Sequence, residues 1–327
     1  MKALICETLG PPETLRLIDA PEPKAGAGEA VVEVAYAALN FFDTLIIEGK
    51  YQVKPALPFS PAGEFSGRIV ALGPGAKGFA VGDRVMGYIG HGAARERFAA
   101  PVERLTRLPD GLGLDTAAGL TIAYGATLYA LDQRGDLKPG ETLVVLGASG
   151  GAGLAAVEIG AAMGARVIAC ASSDEKVAFA KSHGAAEGIN YASSDLRAEL
   201  KRLTGAKGVD AVYDPVGGSL TEVALRSLGW KGRLLVVGFA SGEIPRPPLN
   251  LTLLKGCDIR GVFWGEFVAR EPEAHGANMA RLVAWAREGA LSVHVHETYA
   301  IEDYLPAFRA IARREALGKV LLRLNAF

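Results

Sequence analysis

The sequence predicts an α/β protein in two parts, an all-β barrel followed by a doubly wound parallel sheet, on three observations. Residues 1 to about 120 carry short alternating runs, EAVVEVAYAAL, FSGRIVALG, DRVMGYI and ERFAAP, separated by Gly, Pro and Asp turns with no long helical period between them. From about residue 125, apolar strands at 143–146, 166–171, 188–190, 209–213, 233–238 and 259–263 alternate with helical segments. The first two of these strands flank a glycine-broken apolar stretch in LVVLGASGGAGLAAVEIGAAMGARVIACASSDEK, which has the strand, helix, strand period of a βαβ unit.

Each element has a local cause. MKALICETLG opens on a Lys, but its apolar run of about four residues is too short for a signal-peptide core of about 7 to 15, so it reads as a first strand. Leu143 to Leu146 is a β-branched-rich strand, Gly150 to Met163 an Ala-rich helix capped by Gly164, and Arg166 to Ala171 a second strand. The next helix carries Ser172 with Glu175 as a candidate capping box and Gly184 as its C-terminal stop. After GVFWGEFVAREP, an amphipathic helix around 274–288 and a final LGKVLLRL strand bring the chain back to the first domain. The expected division is therefore 1–124 with 266–327 for the barrel, and 125–265 for the parallel sheet.

Composition removes several function classes. With 327 residues, half of them hydrophobic, the chain is long enough for about two domains with large cores. Lys plus Arg total 35 against 36 Asp plus Glu, so no surplus of positive charge drives binding to nucleic acid or a membrane surface. A membrane helix needs about 20 apolar residues of intact backbone, whereas Gly147, Gly150, Gly151 and Gly153 interrupt the one long apolar run. Cys6, Cys170 and Cys257 are scattered, which writes neither a disulfide framework nor a closely spaced metal cluster and implies a reducing, cytoplasmic setting.

The loop ASGGAG fits the dinucleotide fingerprint G-x-G-x-x-G with Ala148 in the first glycine position. Ala148, Ser149, Gly150, Gly151, Ala152 and Gly153 are the candidate pyrophosphate cradle: Gly150 lets backbone approach the phosphates, Gly153 lets helix and strand pack closely, and the helix N-terminus supplies unpaired N–H groups. About 20 residues on, NAD enzymes place an acid against the ribose hydroxyls. Here Ala171, Ser172 and Ser173 stand in that place and Lys176 follows one turn later, which favours the 2′-phosphate of NADPH. Asp174 is the rival ribose ligand, with a first-turn carboxylate on the helix dipole as its other reading.

Six collinear motifs then carry a resemblance over the whole chain: NFFDTLIIEGKYQ (40–52), PFSPAGEFSG (58–67), VGDRV (81–85), GASGGAG (147–153), VYDPVGG (212–218) and LGKVLL (317–322). Together they resemble the medium-chain dehydrogenase/reductase superfamily, in its zinc-free quinone oxidoreductase (zeta-crystallin-like) branch. The resemblance implies a GroES-like β-barrel catalytic domain and a Rossmann cofactor domain. Zinc-dependent relatives carry Gly-His-Glu where this chain has Ala62-Gly63-Glu64, and a Cys where it has Asn40. A zinc site needs about three or four N, S or O ligands, so no metal is expected and Glu64 reads as structural.

Loss of zinc constrains the reaction. An alkoxide is stabilised well by a Lewis acid and poorly by a neutral hydroxyl, whereas a quinone or an α,β-unsaturated carbonyl takes hydride at a conjugated carbon with only one or two hydrogen-bond donors on its oxygen. By resemblance, Asn40, Asp43 and Tyr51 line the substrate pocket, with Asn40 and Tyr51 as donors; Asp43 is equally an anchor for its loop and Tyr51 a packing aromatic. By family position, Thr127, the turn Val237, Gly238, Phe239, and Phe263, Trp264 and Gly265 of VFWG approach the nicotinamide, Tyr191 packs on the adenine side, and Arg314 joins Lys176 at the 2′-phosphate unless Arg313 faces in.

The implied activity is NADPH-dependent, zinc-independent reduction of quinones. An enoyl or alkenal double-bond reductase, with acyl-CoA thioesters among its substrates, is the alternative, and a nucleotide-binding protein without turnover, crystallin-like or RNA-binding, is the third reading. His294 and His296 have a spacing that can bind metal, but a two-residue repeat near a domain edge reads as surface decoration. IRGVFWG offers the open sheet edge that relatives use to form a homodimer.

Overall fold

Strand Thr142–Leu146 is buried along its whole length, which a sheet covered by helices on both faces demands and a run of TLVVL supplies. The computed structural model describes residues 1–327. They divide into two compact units, Met1–Ile122 with Val293–Phe327, and Ala123–Ser292. The second crossing thus falls at residue 292 and not at 265. Residues 266–292, expected in the barrel unit, stay with the parallel sheet because Phe267 stacks on Tyr129 at 4.1 Å and Asn278 hydrogen-bonds Gln133 at 2.9 Å.

In the second unit six strands run in the order Glu187–Asn190, Arg166–Ala171, Thr142–Leu146, Val209–Asp214, Leu228–Val236, Asp258–Gly261, every neighbouring pair parallel. Counted along the chain this is the order 3-2-1-4-5-6, whose reversal beside Thr142–Leu146 creates the ligand crevice at the strands' carboxyl ends. Leu228–Val236 is longer than the apolar run 233–238 suggests, because LGWKGR joins the ladder next to strand Val209–Asp214. The ends of this unit converge on one side chain. Glu158, buried on helix Gly151–Ala162, accepts from Tyr124 Oη at 2.9 Å and from Ser292 N at 3.1 Å, and Ser292 Oγ bonds its other oxygen.

The first unit is built on a seven-stranded, mostly antiparallel sheet in which Glu29–Leu39 pairs with Glu64–Leu72, with Arg97–Pro101 and with the returning strand Lys319–Arg323. Alternation in EAVVEVAYAAL buries Val32, Val34, Ala37 and Leu39 in a core with Phe65, Phe98 and Phe308. Lys2–Ile5 pairs with Arg16–Asp19 as a separate hairpin. No helix is long and apolar enough to cross a membrane.

Candidate functional site

The glycine loop of the second unit has the shape its spacing demands. Gly150 precedes helix Gly151–Ala162 as its N-cap in extended backbone, and Leu154 N–H closes the first turn on Gly150 O at 2.7 Å. The first-turn amides have no acceptor within the helix, the arrangement that suits an anion. A Cβ on Gly153 would lie 2.0 Å from Gly147 O, so glycine is required there for the helix to approach the strand. A Cβ on Gly150 would meet nothing closer than Gly147 O at 3.8 Å, so the space in front of it is open. Ala148 and Ser149 are buried behind the loop, with Ala148 N–H on Cys170 O at 3.1 Å, while Gly150, Gly151 and Ala152 stay partly exposed. The cradle fits a diphosphate.

At the end of strand Arg166–Ala171 the capping residue is Ser173, not Ser172: Ser173 Oγ accepts Lys176 N–H at 3.3 Å and helix Asp174–Ser182 starts one residue later than the Ser172–Glu175 pattern suggests. Ser172 is exposed and Lys176 half-buried on the same turn. Asp174 Oδ1 accepts Asn190 Nδ2 at 2.9 Å, which ties the helix start to the neighbouring strand and engages the carboxylate that competed for the ribose. Tyr191 N–H bonds Ala171 O at 3.0 Å, so its ring follows directly on this edge. Arg313 and Arg314 both belong to the first unit, exposed after helix Tyr304–Ala312, and Arg314 has left-handed backbone with φ 57°.

Near the crevice, Val237 N–H bonds Asp214 O at 2.9 Å and so places Val237, Gly238 and Phe239 beside the VYDPVGG turn. Asp214 is a residue the motif reading passed over. Its buried carboxylate takes Val216 N–H and Gly217 N–H at 2.9 Å and Thr221 Oγ1 at 2.6 Å, fixing the turn. Thr127 is wholly enclosed, its hydroxyl 2.8 Å from Tyr213 Oη, and Trp264 packs edge-on to His275 at 5.6 Å. Both are interior residues of this unit, whereas Phe263 is 55% exposed and Gly265 lies in the first turn of helix Trp264–Arg270.

The first unit gathers the polar residues expected at the substrate. Asn40 ends strand Glu29–Leu39 and opens helix Phe41–Ile47, with its N–H on Asp43 Oδ2 at 2.7 Å. That bond gives Asp43 the anchoring role. Asp43 Oδ1 is buried with no hydrogen-bond partner, and burial, reinforced by the charge of Glu64, pushes the carboxyl up to about 7. Tyr51 stacks on Phe42 at 5.5 Å and its phenol is raised by burial and by Asp43. Tyr88, which faces Glu64 across the sheet, is pushed up to about 12 by burial, then by Tyr51 and Asp43.

Glu64 and Lys319 complete this cluster. Lys319 Nζ donates to Glu64 Oε1 at 2.5 Å and to Asn40 Oδ1 at 2.7 Å; Asn40 Nδ2 donates to Glu64 Oε1 at 2.9 Å; Ile122 N–H donates to Glu64 Oε2 at 2.7 Å. Glu64 is fully buried and Lys319 is 2% exposed. The sequence offered no signal for Lys319 beyond its place in LGKVLL, because its partners are 255 and 279 residues away.

A nucleotide cradle in one unit and a zinc-less polar cluster in the other are the marks of an oxidoreductase of the medium-chain dehydrogenase/reductase superfamily. The chain matches the alcohol dehydrogenase GroES-like domain over residues 26–110 and the zinc-binding dehydrogenase family over residues 151–281. It belongs among the quinone oxidoreductase-like members of that superfamily: the rat quinone oxidoreductase-like protein 2 is 36% identical over 325 residues, 99% of this chain and 92% of the relative. The quinone oxidoreductase of Pseudomonas syringae superposes with TM-score 0.92 at 31% identity over 98% of this chain and 99% of the other. That of Escherichia coli, solved with NADPH, superposes with TM-score 0.92 at 27% identity over 99% and 100%.

Zinc, which one of those family names implies, does not fit the residues present. The donors left in the position are Asn40 Oδ1 and Glu64, and the Lys319 ammonium holds both. No three His, Cys, Asp or Glu side chains come together elsewhere, His294 and His296 included.

Proposed function

We propose that the chain reduces quinones with NADPH and without zinc. The observation that carries the reading is the Lys319–Glu64–Asn40 cluster: with an ammonium bonded to the two donors a metal would need, stabilisation of charge on the acceptor falls to hydrogen bonds, and quinones ask little more. NADPH held on the glycine cradle would supply the hydride. Gly150, Gly151 and Ala152 bind the diphosphate, Ser172, Ser173 and Lys176 bind the 2′-phosphate, and Tyr191 flanks the adenine. Asn40 Nδ2 and the Tyr51 hydroxyl, which stays protonated because its pKa is raised, donate to the acceptor oxygen. Hydride addition yields a hydroquinone monoanion, and one proton from solvent completes it, while Asp43 holds the Asn40 backbone in place.

The same reading extends to assembly. Strand Asp258–Gly261 ends the parallel sheet with an open edge, and Trp230, Leu249, Leu253 and Leu254 are more than two-thirds exposed in the same unit, which favours a homodimer through that edge. Three buried free cysteines fit a reducing, cytoplasmic compartment. The decisive assay follows NADPH absorbance with naphthoquinone, phenanthrenequinone, a 2-alkenal and crotonyl-CoA in turn. Turnover with the quinones supports the reading, turnover with the alkenal or thioester alone reassigns the acceptor, and no oxidation with any of them refutes it.

A further inference from the structure

The side-chain amide of Asn40 has two chemically opposite ends, and both are gripped by groups that admit no exchange. An ammonium only donates and a carboxylate only accepts. Oδ1 therefore faces Lys319 Nζ at 2.7 Å and Nδ2 faces Glu64 Oε1 at 2.9 Å, since the flipped amide would set donor against donor and acceptor against acceptor. One Nδ2 hydrogen is used on Glu64. The other is the one donor of this amide left to meet a ligand, and Asn40 is partly exposed while its two holders are sealed.

The grip is itself anchored. Lys319 opens strand Lys319–Arg323, hydrogen-bonded to Glu29–Leu39, and its stem passes so close to Gly119 that a Cβ there would sit 3.0 Å from Lys319 Cγ. The second oxygen of Glu64 takes the amide of Ile122, the last residue before the chain leaves this unit. We propose that Lys319 is a positioning residue for the hydride acceptor: paired with Glu64, it locks the Asn40 amide as a donor aimed at the acceptor oxygen. This rests on the quinone reductase reading. It makes the side chain selective for oxygens that accept, and it concentrates the amide's effect where negative charge builds during hydride transfer.

Removing Lys319 alone would strand a buried carboxylate, so the test uses Lys319→Met combined with Glu64→Gln, which leaves no unpaired charge. With naphthoquinone and saturating NADPH, the double variant should lose about tenfold or more in kcat while its KM for NADPH stays put; Asn40→Ala should lose as much or more, and the triple variant no more than Asn40→Ala. Losses that multiply in the triple variant, or an unchanged kcat in a double variant with wild-type Tm, would overturn the proposal. A second readout does not depend on turnover: in asparagine-labelled protein the Asn40 Nδ2 hydrogen bonded to Glu64 should exchange slowly with solvent, and distinctly faster in the double variant. Identical exchange in both proteins overturns the positioning role. Faster exchange in the variant of a protein that reduces no quinone sustains it and refutes the activity.

Discussion

Replacing Asp43 by Asn should change the pH dependence of stability by an amount the structure sets. Burial of this carboxyl, with Oδ1 unpartnered and Glu64 close by, raises it from 3.8 to about 7. The folded chain then binds a proton more tightly than the unfolded chain, so between about pH 4 and 7 the native state carries more protons and wild-type stability falls as pH rises, levelling above 7. Asn mimics the protonated acid and lacks this loss. At about 1.4 kcal/mol per pH unit, the advantage of Asp43→Asn over wild type should widen by roughly 3 kcal/mol between pH 5 and pH 8.5. Tryptophan fluorescence is the wrong probe, because Trp230, Trp264 and Trp285 all lie in the other unit. Amide exchange of strand Glu29–Leu39, read at each pH, reports the right one. A gap that stays constant across this range would refute the assignment of a buried neutral carboxyl.

Other changes separate packing from ligand contact. Gly153→Ala sets a Cβ 2.0 Å from Gly147 O and should lower Tm sharply, at a cost of about 3 kcal/mol or more, whereas Gly150→Ala, whose Cβ meets nothing within 3.5 Å, should keep its Tm and weaken NADPH binding in a titration. Equal behaviour of the two would contradict the cradle. Lys176→Ala should weaken NADPH by roughly 1 to 3 kcal/mol and leave NADH nearly untouched; equal losses would make Lys176 structural. Ser173→Asp should shift preference toward NADH, and it is a clean substitution because Asp caps a helix as well as Ser does.

Much of this was legible in the sequence because the signals were local. A short run such as TLVVL bounded by turns reads as a strand buried on both faces, and a glycine three residues into the helix that follows marks a close approach, so sheet and cradle are written in neighbouring letters. Asn40 and Asp43 come from the family resemblance, and the helix start that joins them, Phe41–Ile47, goes unread in a segment that reads as all strand. What else escaped was non-local or one residue fine. Lys319 looks like any charge opening a terminal strand until the fold sets it beside Glu64. Ser172 and Ser173 compete for one cap, and backbone geometry decides between them. The crossing at residue 292 depends on Asn278 and Phe267 finding partners near residue 130, which no periodicity announces.

Glu158 ties Tyr124, the second residue of the sheet unit, and Ser292, its last, to a single carboxylate. Ends tied in this way mark residues 123–292 as a cassette, a segment to be lifted out of the chain as one piece. Nucleotide recognition, on that footing, is portable, and a truncated 123–292 piece should titrate reduced pyridine nucleotides with no help from the barrel.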